Sequence, residues 1–179
     1  MLSRHEPCSL VEFSCDYFEF TENILIENKH ISIIGQGPES TIIDGDEIDL
    51  VFNLIGNQYD RNNIIISDLL ITKGHNFSAD TYFRAGGVNS FGVNLIIDNV
   101  IITENYASET GLGEAVGGMA AFYSDVIIRN SLIYNNENTN WTDFSMADGV
   151  LISSSNAQIE NSTIVNHGRW SIRFENGPH

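Results

Sequence analysis

Along residues 94 to 105 the chain reads NLIIDNVIITEN, apolar side chains in small groups with polar ones between them. Related stretches begin at residue 63 (NIIISDLLITKG), at 125 (DVIIRNSLIYNN) and at 156 (NAQIENSTIVNH), each 31 residues after the one before. The runs are short, alternate apolar with polar, and are broken by Asn, Asp or Gly, which is a strand pattern. They are too short and too rich in Ile and Val for the helix pairs of other solenoids.

Superposing the units gives columns. Ile66, Ile97, Ile128 and Ile159 form one, and Ile71, Ile102, Ile133 and Ile164 another. Between them run Asp68, Asn99, Asn130 and Asn161, and a glycine column holds Gly87, Gly118 and Gly149. Self-similarity at a fixed period marks a repeat architecture, in which one unit cannot bury its own inward face and stacking does so. Parallel strands about 4.8 Å apart then place equivalent residues over one another. The pattern predicts an all-β fold, a right-handed parallel β-helix (solenoid) of about five turns, with the 31-residue repeat in its C-terminal part. Stacked Ile fills the core. The Asp68, Asn99, Asn130, Asn161 column is expected at a corner, its side chains turned inward and bonded along the axis.

Residues 1–22 read as an N-terminal segment able to cap the stack. Residues 23–179 read as the β-helix, with units at about 54–85, 86–116, 117–147 and 148–179. The period is longer than three strands and tight corners require, so a longer loop leaves each turn at one common edge (75–85, 106–116 and 137–147). These loops bring Tyr82, Phe83, Trp141 and Phe144, with Phe77, toward Asp80 and Asp143, and toward Glu109, Glu114 and Asp148. Aromatic faces beside carboxylates suit sugar rings, so the first six of these residues other than Phe77 are the candidate ligand-binding set. The same aromatics could instead pack over the flank of the coil. A further column, Ile65, Ile96, Ile127 and Gln158, alternates with the core and should face outward; covering by the N-terminal segment or a dimer contact would each account for it.

Charge narrows the partners. The 179 residues carry 24 Asp and Glu against 8 Lys and Arg, a net charge of −16. Such a field repels phosphate backbones and anionic lipid heads, which argues against nucleic acid and against the membrane surface. No apolar run approaches the ~18 residues of a membrane-spanning helix, and no signal-peptide core stands at the start. Cys8 and Cys15 are compatible with a small disulfide loop and equally with two free thiols. Sequons stand at Asn76, Asn140 and Asn161; the last, as a ladder residue, is expected to be inaccessible.

The stretch YFEFTENILIENKHISIIGQGPESTIIDGD resembles the opening coils of pectin-lyase-like right-handed β-helix proteins. The GGV and GGM entries, followed by Ile102-Thr-Glu-Asn105 and Ile133-Tyr-Asn-Asn136, resemble the GG-aliphatic and FxxN parts of the polymorphic outer-membrane protein repeats of bacterial surface proteins, with Ile in place of Phe. The resemblance implies the fold, and a range of functions from adhesins to lyases, esterases and glycosidases. A lyase would need an Arg or Lys base and acidic calcium ligands. Arg84, Arg169 and Arg173 have no carboxylate cluster assigned by spacing, and of the hydrolase signatures only NHGR at 166–169 comes near. DGDEID at 44–49 has acidic alternation without the spacing of an EF-hand loop.

The sequence thus points to a non-catalytic extracellular or surface β-helix module, adhesive or carbohydrate-binding, within a longer chain. A fragment of a polysaccharide-processing enzyme (lyase, esterase or hydrolase) and a structural spacer are the alternatives. No catalytic residue and no cofactor is assigned, with calcium left open. The expected partners are a glycan or a surface protein, with end-to-end or lateral self-association; nucleic acid and membrane insertion are not expected.

Overall fold

The computed structural model describes residues 9–12, 18–21, 23–77, 83–108, 114–138 and 147–175, with side chains from residue 23 onward except at 83, 84 and 114. These residues contain strands and turns and no helix. One complete coil shows the plan. Val93–Thr103 is a long strand bent at Asn99, followed by the short strands Tyr106–Ala107 and Glu114–Val116 and then by Met119–Phe122. Asp125–Arg129 opens the next coil directly beside Val93–Thr103. Every strand pairs in parallel with its equivalents, Ile97 with Ile66 and Ile128, Tyr106 with His75 and Glu137, and Met119 with Val88 and Val150.

The molecule is therefore a parallel β-solenoid whose walls are a ten-stranded and a six-stranded sheet, with three-stranded and two-stranded ribbons at the long-loop edge. It has about four turns at the ~31-residue spacing, rather than the five counted in the sequence. The difference lies at the ends, where coils are shorter. Val11 pairs with Ile33 and Val150 with Ile172, each 22 residues on, so these coils carry no long loop. The strands Ser9–Glu12 and Phe18–Thr21 extend the ten-stranded sheet beyond Ile31–Ile34 and Thr41–Asp44. They lie at the end of the stack, not across the outward isoleucines, so the covering expected of the N-terminal segment does not come from them.

The interior is continuous. Ile66, Ile97 and Ile128 are fully buried, as are Ile71, Ile102 and Ile133, with Leu54, Met119 and Val150 facing them from the other wall. Each such side chain contributes roughly 1.5–3 kcal/mol by leaving water. Ile159 and Ile164, in the last coil, pack on this core while remaining partly exposed.

Each coil turns at three corners, and each corner holds a residue in the left-handed region. The columns are Asp68, Asn99, Asn130, Asn161; Lys73, Glu104, Asn135, Asn166; and Gly92, Tyr123, Ser154, all with φ between 45 and 64°. One such residue reverses the strand's course sharply, and Asn, Asp and Gly accept the geometry at least cost. The residue after each corner then seals the backbone. Ser131 Oγ accepts the Val100 N–H at 3.1 Å, Ser124 Oγ the Val93 N–H at 3.3 Å, and Asn105 Oδ1 the Gly74 N–H at 2.9 Å. The next coil repeats all three through Ser162, Ser155 and Asn136. Corner N–H groups that miss the sheet ladder are thus satisfied from the coil above.

The expected ladder is at its corner but its side chains do not turn inward. Asn99, Asn130 and Asn161 are exposed. Asn99 Nδ2 does bond along the stack to Asp68 Oδ1 at 2.7 Å, whereas Asn130 Nδ2 bonds Asp98 Oδ1 at 2.9 Å. A left-handed corner residue points its Cβ away from the coil interior, so exposure follows from the turn itself. The amides buried at the next corner are Asn105 and Asn136, 0% and 1% exposed. Asn136 Nδ2 donates to the carbonyls of Ile102 and Tyr134, and its Oδ1 accepts the Asn105 N–H and Nδ2. The glycine column fits against them: a Cβ on Gly87 or Gly118 would press on Asn105 or Asn136 and collide with the next coil's backbone.

Candidate functional site

The outer face of the first wall holds a concave groove. Alternation sends Ile66, Ile97 and Ile128 inward and Ile65, Ile96 and Ile127 outward, where they are only half-buried. With Gln158 they form the floor of a groove of about 700 Å³ that runs along the solenoid axis. Asn63, Asn94, Asp125 and Asn156 form one rim, one polar side chain per coil. The rim is ordered by its own contacts. Asn94 Nδ2 donates to Asn63 Oδ1 at 3.0 Å, Asn156 Nδ2 to Asp125 Oδ1 at 2.8 Å, and Arg61 Nη1 reaches Asp125 Oδ2 at 2.6 Å. Two places along the same outward line, Asp98 pairs with Arg129 at 2.8 Å and accepts from Asn130. Burial raises the Asp98 pKa, but the hydrogen bonds from Asn130 and Arg129 and the Arg129 charge outweigh it and hold the carboxyl below its usual range.

The groove residues were visible in the sequence only as an outward apolar column. The polar rim recurs at the same period, Asn63, Asn94, Asp125, Asn156, and could have been found from it. Of the candidate ligand-binding set, Asp80, Tyr82, Trp141, Asp143 and Phe144 lie outside the described residues, as does the side chain of Phe83. The described part of that edge is the ribbon His75–Asn76, Tyr106–Ala107 and Glu137–Asn138. Phe77 is half-exposed there and stacks on His75, ring centroids 3.4 Å apart, with Tyr106 on the same surface 6.0 Å from His75.

Asp148 is not at that edge as a free carboxylate; it is 1% exposed. It accepts the N–H groups of Asn138 and Arg169, and the Arg169 guanidinium lies 3.8 Å away while donating to the Asn138 carbonyl. Burial raises the Asp148 pKa against these bonds and the charges of Arg169 and His167. His167 follows Asn105 and Asn136 in the buried column, and its Nδ1 lies 3.3 Å from the Asn136 N. Desolvation lowers its pKa, against backbone hydrogen bonds and the Asp148 charge. Both Asp148 oxygens are occupied, so the cluster ties the last coil to the two ends of the 139–146 segment. Arg173 pairs with Glu175. Asp44, in the DGDEID run, accepts the Asp46 N–H and pairs with Lys73 at 2.5 Å.

Among the described residues, no group of three or more His, Cys, Asp or Glu is arranged to hold a metal ion, and no helix is long and apolar enough to cross a membrane. The sequons are placed unequally: Asn76 is buried and Asn161 exposed, the reverse of what the ladder assignment implied for Asn161. No family model, no curated protein and no solved structure matches the chain, so the structure establishes a parallel β-solenoid and leaves its family open.

Proposed function

We propose that the protein is an adhesive or carbohydrate-binding module, displayed outside the cell, that holds an extended uncharged glycan along the groove of the first wall. The observation that carries this reading is the groove's repetition: a half-buried aliphatic floor beside one amide or carboxylate per coil. From Asn63 to Asn156 the rim spans three coil spacings, roughly 14 Å. A chain of hydroxyl-bearing rings matches such a surface, since hydroxyls both donate and accept while ring C–H groups rest on the floor. A protein partner would need a larger patch, because a stable interface buries about 800 Å² per side. The net charge of −16 disfavours acidic polysaccharides unless a cation such as calcium bridges them. The long-loop edge, with Asp80, Tyr82, Phe83, Trp141, Asp143 and Phe144, is the second surface on which the same ligand class could rest.

A glycan array, run with and without calcium, tests both surfaces. Ile96→Asp places a charge on the groove floor without touching the core, and Trp141→Ala removes a loop aromatic. Binding lost in Ile96→Asp and kept in Trp141→Ala supports the groove; the opposite pattern moves the site to the loops. No binding by the wild type in either condition would leave the protein a structural spacer.

A further inference from the structure

The described long-loop edge holds a nucleophile and a base that the groove does not use. His75 and Ser108 are 33 residues apart, one 31-residue period plus two, which places both side chains on the outer surface of neighbouring strands. The His75 Nε2 lies 3.3 Å from Ser108 Oγ. We propose that Ser108 and His75 form a nucleophile and general-base pair acting on small uncharged carboxylic esters.

Three observations support the assignment. First, the imidazole is held: Phe77 stacks on it and Tyr106 stands beside it, while the backbone N–H of His75 bonds the Asp49 carbonyl. Second, the turn at Glu47 packs beside the pair, its N–H bonded to the Lys73 carbonyl two residues before His75. Third, the imidazole is set to act as a base. Desolvation lowers its pKa and the Glu47 charge opposes that shift, so the ring is neutral at pH 7 and gains from Glu47 when it takes a proton. Phe77, 52% exposed and stacked on His75, offers an apolar surface for an acyl group beside the pair.

The chemistry balances with water as the sole co-reactant. Ser108 Oγ attacks the ester carbonyl carbon while His75 Nε2 takes the hydroxyl proton. The C–O bond to the leaving alcohol breaks, and His75 returns the proton to that oxygen. Water, deprotonated by His75, then attacks the acyl-serine carbonyl; the C–Oγ bond breaks, His75 returns the proton to Ser108 Oγ, and the carboxylic acid leaves. A 3.3 Å separation is within the looser range of a pair without substrate.

The test is independent of glycan binding. The wild type, Ser108→Ala, His75→Gln and Glu47→Gln are purified identically, checked for equal thermal midpoints, and incubated with p-nitrophenyl butyrate and with a fluorophosphonate probe. The wild type should turn over the ester and carry one adduct, which peptide mass spectrometry assigns to Ser108. Ser108→Ala should abolish both, His75→Gln should slow turnover about 100-fold or more, and Glu47→Gln should slow it less. The wild-type rate should rise as pH passes a midpoint below 6.5, the ordinary histidine value. No adduct on Ser108, or equal turnover by wild type and Ser108→Ala, overturns the proposal and leaves the groove reading untouched.

Discussion

Two asparagine columns stand a few residues apart on the same coils and do opposite work. Asn99 and Asn130 sit at a corner with φ 52° and 53° and face solvent. Asn105 and Asn136 come one residue after the next corner and are buried, each satisfying backbone groups of two coils. The first column is selected by backbone geometry, the second by hydrogen-bond capacity. Replacing an exposed left-handed residue changes mainly a local conformational preference. Replacing a buried amide leaves donors and acceptors stranded where water cannot reach.

The largest effect should come from the core that both columns frame. Ile128→Ala should lower stability by roughly 2–5 kcal/mol in denaturant unfolding, and a loss below ~0.5 kcal/mol would mean the register is wrong. Asn136→Leu comes next, at about 1–3 kcal/mol in all, because the Asn105 N–H and the Ile102 carbonyl lose their partner. Asn130→Ala should cost only about 1 kcal/mol; if it matches Asn136→Leu, the contrast between the columns collapses. In the other direction, Glu104→Asn, at a corner where φ is 55°, should stabilise by a few tenths of a kcal/mol to about 1 kcal/mol, read as a higher unfolding midpoint.

The smallest effect sharpens the comparison at its end. His167 replaces asparagine in the buried column, and desolvation holds its folded pKa below 6.5. Above pH 6.5 the ring is neutral folded and unfolded. As pH falls below 6.5 the unfolded chain takes up the proton first, so stability is lost until the folded pKa is passed. Asp148, raised by burial, has the opposite slope, present at low pH and lost as pH rises through its folded pKa. The difference between wild type and His167→Asn isolates the imidazole, and from pH 7 to 5 the wild type should lose stability relative to the variant. Parallel curves would show that His167 titrates alike in both states.

The repeat made much of the fold legible. Columns such as Ile66, Ile97, Ile128 and Ile71, Ile102, Ile133 could only superpose in a stacked coil, and the inside-outside alternation placed Ile65, Ile96 and Ile127 on the surface. The asparagine function was less legible, because a 31-residue period marks Asn99 and Asn105 equally. A period tells which residues lie over one another; it does not tell which way a corner side chain points. That depends on the sign of φ, which the one-residue offset between a corner and its cap decides.

The sequence by itself determined the stacking, the core and the acidic surface, since each follows from local periodicity and composition. Tertiary structure decided the rest. It made Asp148 a buried clamp and not an edge carboxylate, since its partners come from Asn138, ten residues back, and Arg169, 21 residues on. It turned an apolar column into a groove by aligning a polar side chain beside each isoleucine, and it brought His75 to Ser108 across neighbouring coils. Such contacts depend on where loops of unequal length return the chain, and the coil offsets of 22, 31 and 36 residues are fixed only when the strands pair.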